Sequence, residues 1–183
     1  MTVCKFTIVP QEPQHQNEIE HLLDEVFGLC RRVKTSYRLR EGEKPVPGLS
    51  LVAVESGNRI VGAISFWNAF IGEKGFRALL LGPLAVAPNR QSTGIGRGLM
   101  KLGLERAAQM GAKLVILVGD EPYYGRVGFR KVPAERLIMP GPVDPDRFLY
   151  LEVQDGAMDE ADGLVLPPRR YQEKGASGLR GTR

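Results

Sequence analysis

The chain has 183 residues, of which 43% are hydrophobic and 25% charged, the composition of a soluble globular domain large enough to bury its own core. Its net charge of +4 resides at one end, where residues 164–183 hold Arg169, Arg170, Lys174, Arg180 and Arg183 against Glu173. The rest is balanced, so no basic face for nucleic acid is expected.

Cys4 and Cys30 are far apart, with no CxxC spacing and no neighbouring histidine pairs. That argues against a disulfide framework or a metal site and for two reduced cysteines in a cytosolic core. The first apolar run is short for a signal peptide, and nothing approaches the ~18 apolar residues of a membrane span. A cytoplasmic protein without a membrane partner is the expectation.

Taken in order, Val3–Val9 reads as a strand closed by Pro10 and Pro13. Residues 18–30 carry Ile19, Leu22, Leu23, Val26, Phe27 and Cys30 at helical spacing, so an amphipathic helix is predicted there. Residues 31–47 are polar and basic, with Pro45 and Pro47, and read as a short helix plus a loop. Leu49–Glu55 and Ile60–Trp67 are β-branched runs joined by Ser56-Gly57-Asn58-Arg59, the pattern of a hairpin. A less regular stretch, Asn68–Arg77, leads to a central strand at Leu79–Ala87.

A helix follows from about Ile95 to Met110. Leu114–Val118 is a continuous apolar run, the mark of a strand covered on both faces; the helix before it predicts a parallel crossover from the central strand. Tyr123 to Phe129 leaves room for one short helix before Gly128. Phe129–Val132 and Phe148–Val153 are further strands, separated by Pro133, Pro140, Pro142 and Pro145. An acidic patch (Asp155, Asp159, Glu160, Asp162) precedes the basic end. The organisation expected is one domain over residues 1–166 and a basic, partly mobile tail over 167–183.

The informative stretch is Leu79 to Met100, LLLGPLAVAPNRQSTGIGRGLM. Strand, glycine-rich loop and helix together present backbone N–H groups and a helix dipole to an anion. A Walker loop requires Gly-Lys-Ser/Thr, and no such tripeptide occurs. A dinucleotide fingerprint requires G-x-G-x-x-G directly after a strand and an acidic residue roughly 20 positions later. Gly94, Gly96 and Asp120 could serve, but Leu99 occupies the third glycine's place and residues 87–93 separate strand from loop. That Rossmann-type reading is the lesser alternative.

Gln91-Ser92-Thr93-Gly94-Ile95-Gly96 has the form Q/R-x-x-G-x-G/A, which resembles the acetyl-CoA pyrophosphate loop of the GNAT superfamily of N-acetyltransferases. Leu84-Ala85-Val86-Ala87-Pro88 resembles the end of that family's central strand. Tyr124-Gly125-Arg126-Val127-Gly128-Phe129 resembles its Tyr-x-x-x-Gly-Phe signature, and residues 3–153 follow the family's element order. The resemblance implies an α/β (in some schemes α+β) GNAT fold: a mixed, mostly antiparallel sheet splayed at the central strand, with helices on both faces.

It also implies acetyl-CoA as co-substrate, no metal, and direct transfer to a primary amine on a small molecule or peptide. The pyrophosphate would sit on Gln91, Ser92, Thr93, Gly94, Ile95, Gly96 and Arg97. The pantetheine would pair with the backbone of Leu84, Ala85 and Val86, and the Val86 N–H would face the thioester oxygen as oxyanion donor. Tyr124 stands where many members place a tyrosine that protonates the departing CoA thiolate. Gly98 and Gly103, inside the helix, read as close packing against the sheet.

No general base emerges. Glu73, Asp120 and Glu121 are candidates by position, while His15 and His21 read as surface residues. Residues 31–47 and 133–147 are expected to shape the acceptor pocket, and Arg31, Arg32, Arg38 and Arg40 could favour an acidic acceptor. A CoA-binding sensor or interaction module of the same fold is the alternative to an enzyme, and a homodimer is left open.

Overall fold

The computed structural model of the chain describes residues 6–172. In chain order its elements begin with β1 (Thr7–Pro10), α1 (Gln16–Phe27), α2 (Thr35–Arg38), β2 (Leu51–Val54), β3 (Ile60–Ile71), β4 (Phe76–Val86) and α3 (Ile95–Gln109). They continue with β5 (Leu114–Val118), α4 (Glu121–Tyr124), β6 (Arg130–Lys131), β7 (Leu137–Ile138), β8 (Phe148–Glu152), α5 (Ala157–Glu160) and β9 (Gly163–Leu166). The result is a mixed α/β protein with a large, mostly antiparallel sheet, hydrogen-bonded in the order β1-β2-β3-β4-β5-β8-β6. Two compact units share it, and β3 and β4 contribute residues to both.

The first unit gathers the chain up to Val33, Pro45–Phe66 and Leu81–Gly111. Here β1 pairs antiparallel with β2 (Thr7↔Val54 to Pro10↔Leu51) and β2 with β3 (Leu51↔Ile64 to Val54↔Ile60). α1 buries Ile19, Leu22 and Leu23 in a cluster with Val52, Ile60, Ala63 and Ala85. α3 buries Ile95, Leu99, Met100, Gly103 and Ala107. Gly98 and Gly103, inside the helix, are packing positions, as their sequence context suggested. A Cβ at Gly103 would stand 2.6 Å from Cε2 of Phe66, and one at Gly98 would stand 3.2 Å from Cδ1 of Ile8. Each glycine costs on the order of 1 kcal/mol in helix propensity relative to alanine. Close approach of helix and strand is what that cost permits.

The second unit comprises Lys34–Lys44, Trp67–Leu80 and the chain from Ala112 onward. β4 and β5 run parallel (Leu79↔Val115, Leu80↔Ile116), the expected crossover. β5 pairs antiparallel with β8 from Leu114↔Glu152 to Val118↔Phe148, and β8 with β6. Leu114 to Leu117 of β5 are buried as predicted and Val118 is half-buried; Leu114 and Ile116 join a core with Leu39, Ile71, Leu80, Phe148, Tyr150, Met158 and Val165.

Several boundaries differ from the sequence reading. Of the strand expected at Val3–Val9, residues 3–5 and Cys4 lie outside the described residues, and β1 runs to Pro10. The first helix stops at Phe27 because Gly28, at φ 71°, ends it; Cys30 lies beyond that end and is exposed rather than in a core. Residues 68–71 are not irregular: they continue β3, and Gly72 and Gly75 turn the chain into β4.

β7 and β9 were not anticipated. β9 pairs with the end of β3 (Phe70↔Leu166) and, in parallel, with β7. Residues 168–172 are helical. The Tyr171 ring stacks on Phe70 at 4.5 Å and the Arg169 N–H donates to Glu43 Oε1 at 3.1 Å. The part of the expected mobile tail beyond Gln172 lies outside the described residues.

Candidate active site

The glycine loop lies in the first unit. β4 ends at Val86; the Ala87 N–H donates to the Val61 carbonyl at 2.9 Å, and a 3-10 turn over Pro88–Arg90 follows. The Thr93 hydroxyl then donates to the Arg90 carbonyl at 2.6 Å. Ser92 (φ 62°) and Gly94 (φ 91°) both take left-handed backbone conformations. Gly94 is the N-cap of α3 and carries no side chain to cap it. The first turn of this 15-residue helix thus presents its N–H groups and the positive end of its dipole without a side-chain cap.

Of the residues assigned to this loop, Gln91, Ser92, Thr93 and Arg97 are exposed, Gly94 is half-buried, and Ile95 and Gly96 are buried. Ile95 anchors the helix start through its contact with Gly62, where a Cβ would come within 2.6 Å of Ile95 Cγ2. Just upstream, Ala85 is buried in the α1 cluster, while Leu84 and Val86 are half-buried. The Gly82–Pro83 peptide is cis, a feature absent from the sequence reading. Pro83 lacks an N–H, so the ladder has no donor there.

Tyr124 lies in the second unit, at the end of α4, and the chain turns back at Gly128 (φ 98°) into Phe129. Three neighbours fix its ring. Phe129 meets it edge-on at 5.9 Å and Tyr123 at 5.0 Å. The ring also packs against Gly119: a Cβ there would come within 2.2 Å of Tyr124 Cε2. Burial pushes the Tyr124 hydroxyl well above its ordinary pKa; Tyr123 and Asp120 add to this, and Arg147 opposes them. The phenol is therefore a proton carrier throughout the neutral range.

The candidates for a base are held in ion pairs or exposed. Asp120 pairs with Arg147 at 3.1 Å, and Glu121 with Lys131 at 3.4 Å, which also holds Asp146 at 3.0 Å. Glu73 is exposed in the turn between β3 and β4. His21 is exposed, but His15 is buried, contrary to expectation: its Nδ1 accepts the Glu12 N–H at 3.0 Å and closes the turn before α1.

The basic segment differs too. Arg31 is buried and bridges Glu20 and Asp24 on α1, so it is a structural ion pair rather than an acceptor ligand. Arg40 stacks over Tyr37 (5.2 Å) and Trp67 (5.8 Å), while Arg32 and Arg38 are exposed. Among the described residues no group of three His, Cys, Asp or Glu could hold a metal ion, and no helix is long and apolar enough to cross a membrane.

The sequence model of the acetyltransferase (GNAT) family matches residues 17–129, a span that includes both the glycine loop and Tyr124–Phe129. The chain belongs to the GNAT acetyltransferase family. It is 33% identical over 138 residues to the uncharacterized N-acetyltransferase YjhQ of Escherichia coli K12, covering 74% of this chain and 76% of that relative.

In fold, this acetyltransferase is similar to the E. coli GNAT family N-acetyltransferase YhbS in complex with CoA, with a TM-score of 0.78 at 24% identity over 92% and 93% of the two chains. It is also similar to a Brucella melitensis GNAT family acetyltransferase in complex with acetyl-CoA, at a TM-score of 0.59 and 26% identity over 85% and 99%. The expected fold is borne out, as is membership in a family of acetyltransferases whose relatives are seen with CoA or its acetyl thioester.

Two further features escaped the sequence reading. The side chain of Arg90 is gripped by Glu55, and the ring of Tyr124 rests on Gly119. Neither pair follows a sequence-spacing rule, because the partners are joined by the fold.

Proposed function

We propose that this protein moves an acetyl group from acetyl-CoA to a primary amine on a small molecule or peptide. The observation that supports this most is the uncapped start of α3, where left-handed Ser92 and Gly94 turn the backbone at the motif position of a pyrophosphate loop. A diphosphate is the ligand such donors suit, since each N–H of the first turn can meet a phosphate oxygen and the dipole favours its charge.

In this reading the backbone of Leu84–Val86 binds the pantetheine arm as an added strand. The Val86 N–H donates to the thioester oxygen as negative charge develops there. The amine nitrogen attacks the carbonyl carbon, the carbon–sulfur bond breaks, and its electron pair goes to sulfur. Tyr124, held protonated by burial, supplies a proton or hydrogen bond to that thiolate. No side chain of this chain is assigned as the base that removes the amine's proton.

The test is a panel of amines, amino acids and peptide N-termini incubated with acetyl-CoA and followed by release of free thiol. Calorimetric binding of CoA runs in parallel. Thiol release with at least one amine class, together with CoA binding, is expected. Binding without turnover on any acceptor would replace the enzyme with a CoA-sensing module.

A further inference from the structure

The turn between β2 and β3 is not part of the glycine loop, yet its side chains reach it. Glu55 opens that turn, which is closed by bonds from the Glu55 N–H to the Arg59 carbonyl (3.0 Å) and from the Asn58 N–H to the Glu55 carbonyl (3.1 Å). The carboxylate then takes Arg90 as a fork: Nε to Oε1 at 2.6 Å and Nη2 to Oε2 at 3.2 Å. Arg59 adds a third bond at 2.9 Å, from its Nη2 to Oε2. Only 11% of the Glu55 side chain and 24% of Arg90's are exposed, and the pair is charged and two-pronged, the strong kind of hydrogen-bonded contact.

Arg90 in turn receives the Thr93 hydroxyl on its carbonyl and donates its N–H to Ala87 at 2.8 Å. A continuous line of bonds thus runs from the hairpin turn through Arg90 to Thr93, the two residues that bracket Gln91 and Ser92. The hydrogen bonds from Arg90, and then from Arg59, hold the Glu55 carboxyl below the usual range. It is a carboxylate at neutral pH.

We propose that Glu55 is a positioning residue for the pyrophosphate of acetyl-CoA: by clamping Arg90 it sets the Gln91–Gly94 loop in its binding shape. The inference rests on the CoA reading above and adds to it a residue outside the loop. Its physics gives a sign that separates it from simple electrostatics. Glu55 is a negative charge beside a loop proposed to bind a polyanion, and Glu55→Gln releases two guanidinium groups from their carboxylate. Charge alone therefore predicts tighter binding in the variant. Loss of the clamp predicts weaker binding, because the loop must then be ordered by the ligand itself.

The experiment measures CoA affinity by calorimetry, and KM for acetyl-CoA against kcat, for the wild type, Glu55→Gln, Glu55→Asp and Arg90→Lys. Glu55→Gln should weaken CoA about tenfold, with the loss falling on KM for acetyl-CoA rather than on kcat. Glu55→Asp should recover part of it. Arg90→Lys keeps the charge but loses the fork, and should cost several-fold even if Glu55→Gln does not fold. Unchanged or tighter binding in Glu55→Gln, or in Arg90→Lys, overturns the positioning role while CoA binding by the wild type leaves the site intact. No CoA binding by the wild type overturns the CoA reading itself.

Discussion

The glycine loop and the Tyr124 corner are built on opposite principles. Under the proposed function the loop offers a ligand its backbone N–H donors more than its exposed side chains, Gln91, Ser92 and Thr93, and its shape depends on φ at Ser92 and Gly94. Under the same proposal the corner offers one side-chain hydroxyl, whose place depends on packing against Gly119, Tyr123 and Phe129. A backbone site should tolerate side-chain changes and fail on loss of a glycine. A side-chain site should do the reverse, except where a glycine is the surface on which the ring rests.

The sharpest break in that comparison is Tyr124→Phe, which keeps the ring and removes the hydroxyl. If the phenol protonates the leaving thiolate, kcat should fall about 100-fold, at the lower end of general-acid contributions, with CoA affinity unchanged. Wild-type turnover in this variant would remove the acid role and leave Tyr124 a packing residue.

Gly119→Ala probes the same corner without touching the hydroxyl. The new methyl would meet the Tyr124 ring at 2.2 Å. The obstructing atoms belong to the packed ring of Tyr124, which must shift against Phe129 and Tyr123, so a lower melting temperature is expected with the fold retained. Displacement of the hydroxyl by a fraction of its reach should cost roughly tenfold or more in kcat. The same substitution in a Tyr124→Phe background should have little further effect, since the group it misplaces is already absent.

At the loop the corresponding change is Gly94→Ala. Nothing lies within 4 Å of the added Cβ, so no clash is expected, but φ 91° is a conformation that alanine resists. Strain of about 1–3 kcal/mol would be relieved by reshaping the loop, and CoA affinity should fall about tenfold. The loss should appear in binding and spare the pH behaviour of kcat. A change in kcat without a change in binding would mean that loop and corner are not the separate devices described here.

Local chemistry explains what was legible beforehand. The function proposed for Gln91–Gly96 resides in backbone geometry that glycines announce, and Leu114–Val118 announces burial by being apolar throughout. The misreadings came from competition between local signals. Apolar spacing carried the first helix on to Cys30, although Gly28 stood ready to end it. β9 hides behind an acidic run, and β7 is only Leu137–Ile138 between prolines, too short for periodicity to register. Buried His15 and Arg31 could not be told from surface residues, because their partners, the Glu12 N–H and the carboxylates of Glu20 and Asp24, exist only once α1 has formed. Glu55 and Arg90 meet only across the folded first unit.

The smallest effect expected is a shift in acid stability, and it bears on whether the Glu55 clamp is a property of the protein before any ligand arrives. Arg90, then Arg59, hold the folded Glu55 carboxyl below its ordinary value of 4.5. A depressed folded pKa means that the unfolded chain binds this proton more readily. The clamp's contribution to stability is therefore fully present above about pH 4.5 and is lost as pH falls through the lower, folded value. Glu55→Gln has no such proton to take up. Its unfolding free energy should depend less steeply on pH than the wild type's below that point, while the two curves run parallel at neutral pH. Measured by denaturant titration without CoA, parallel curves down to the acid transition would mean that the loop is not clamped in the free protein.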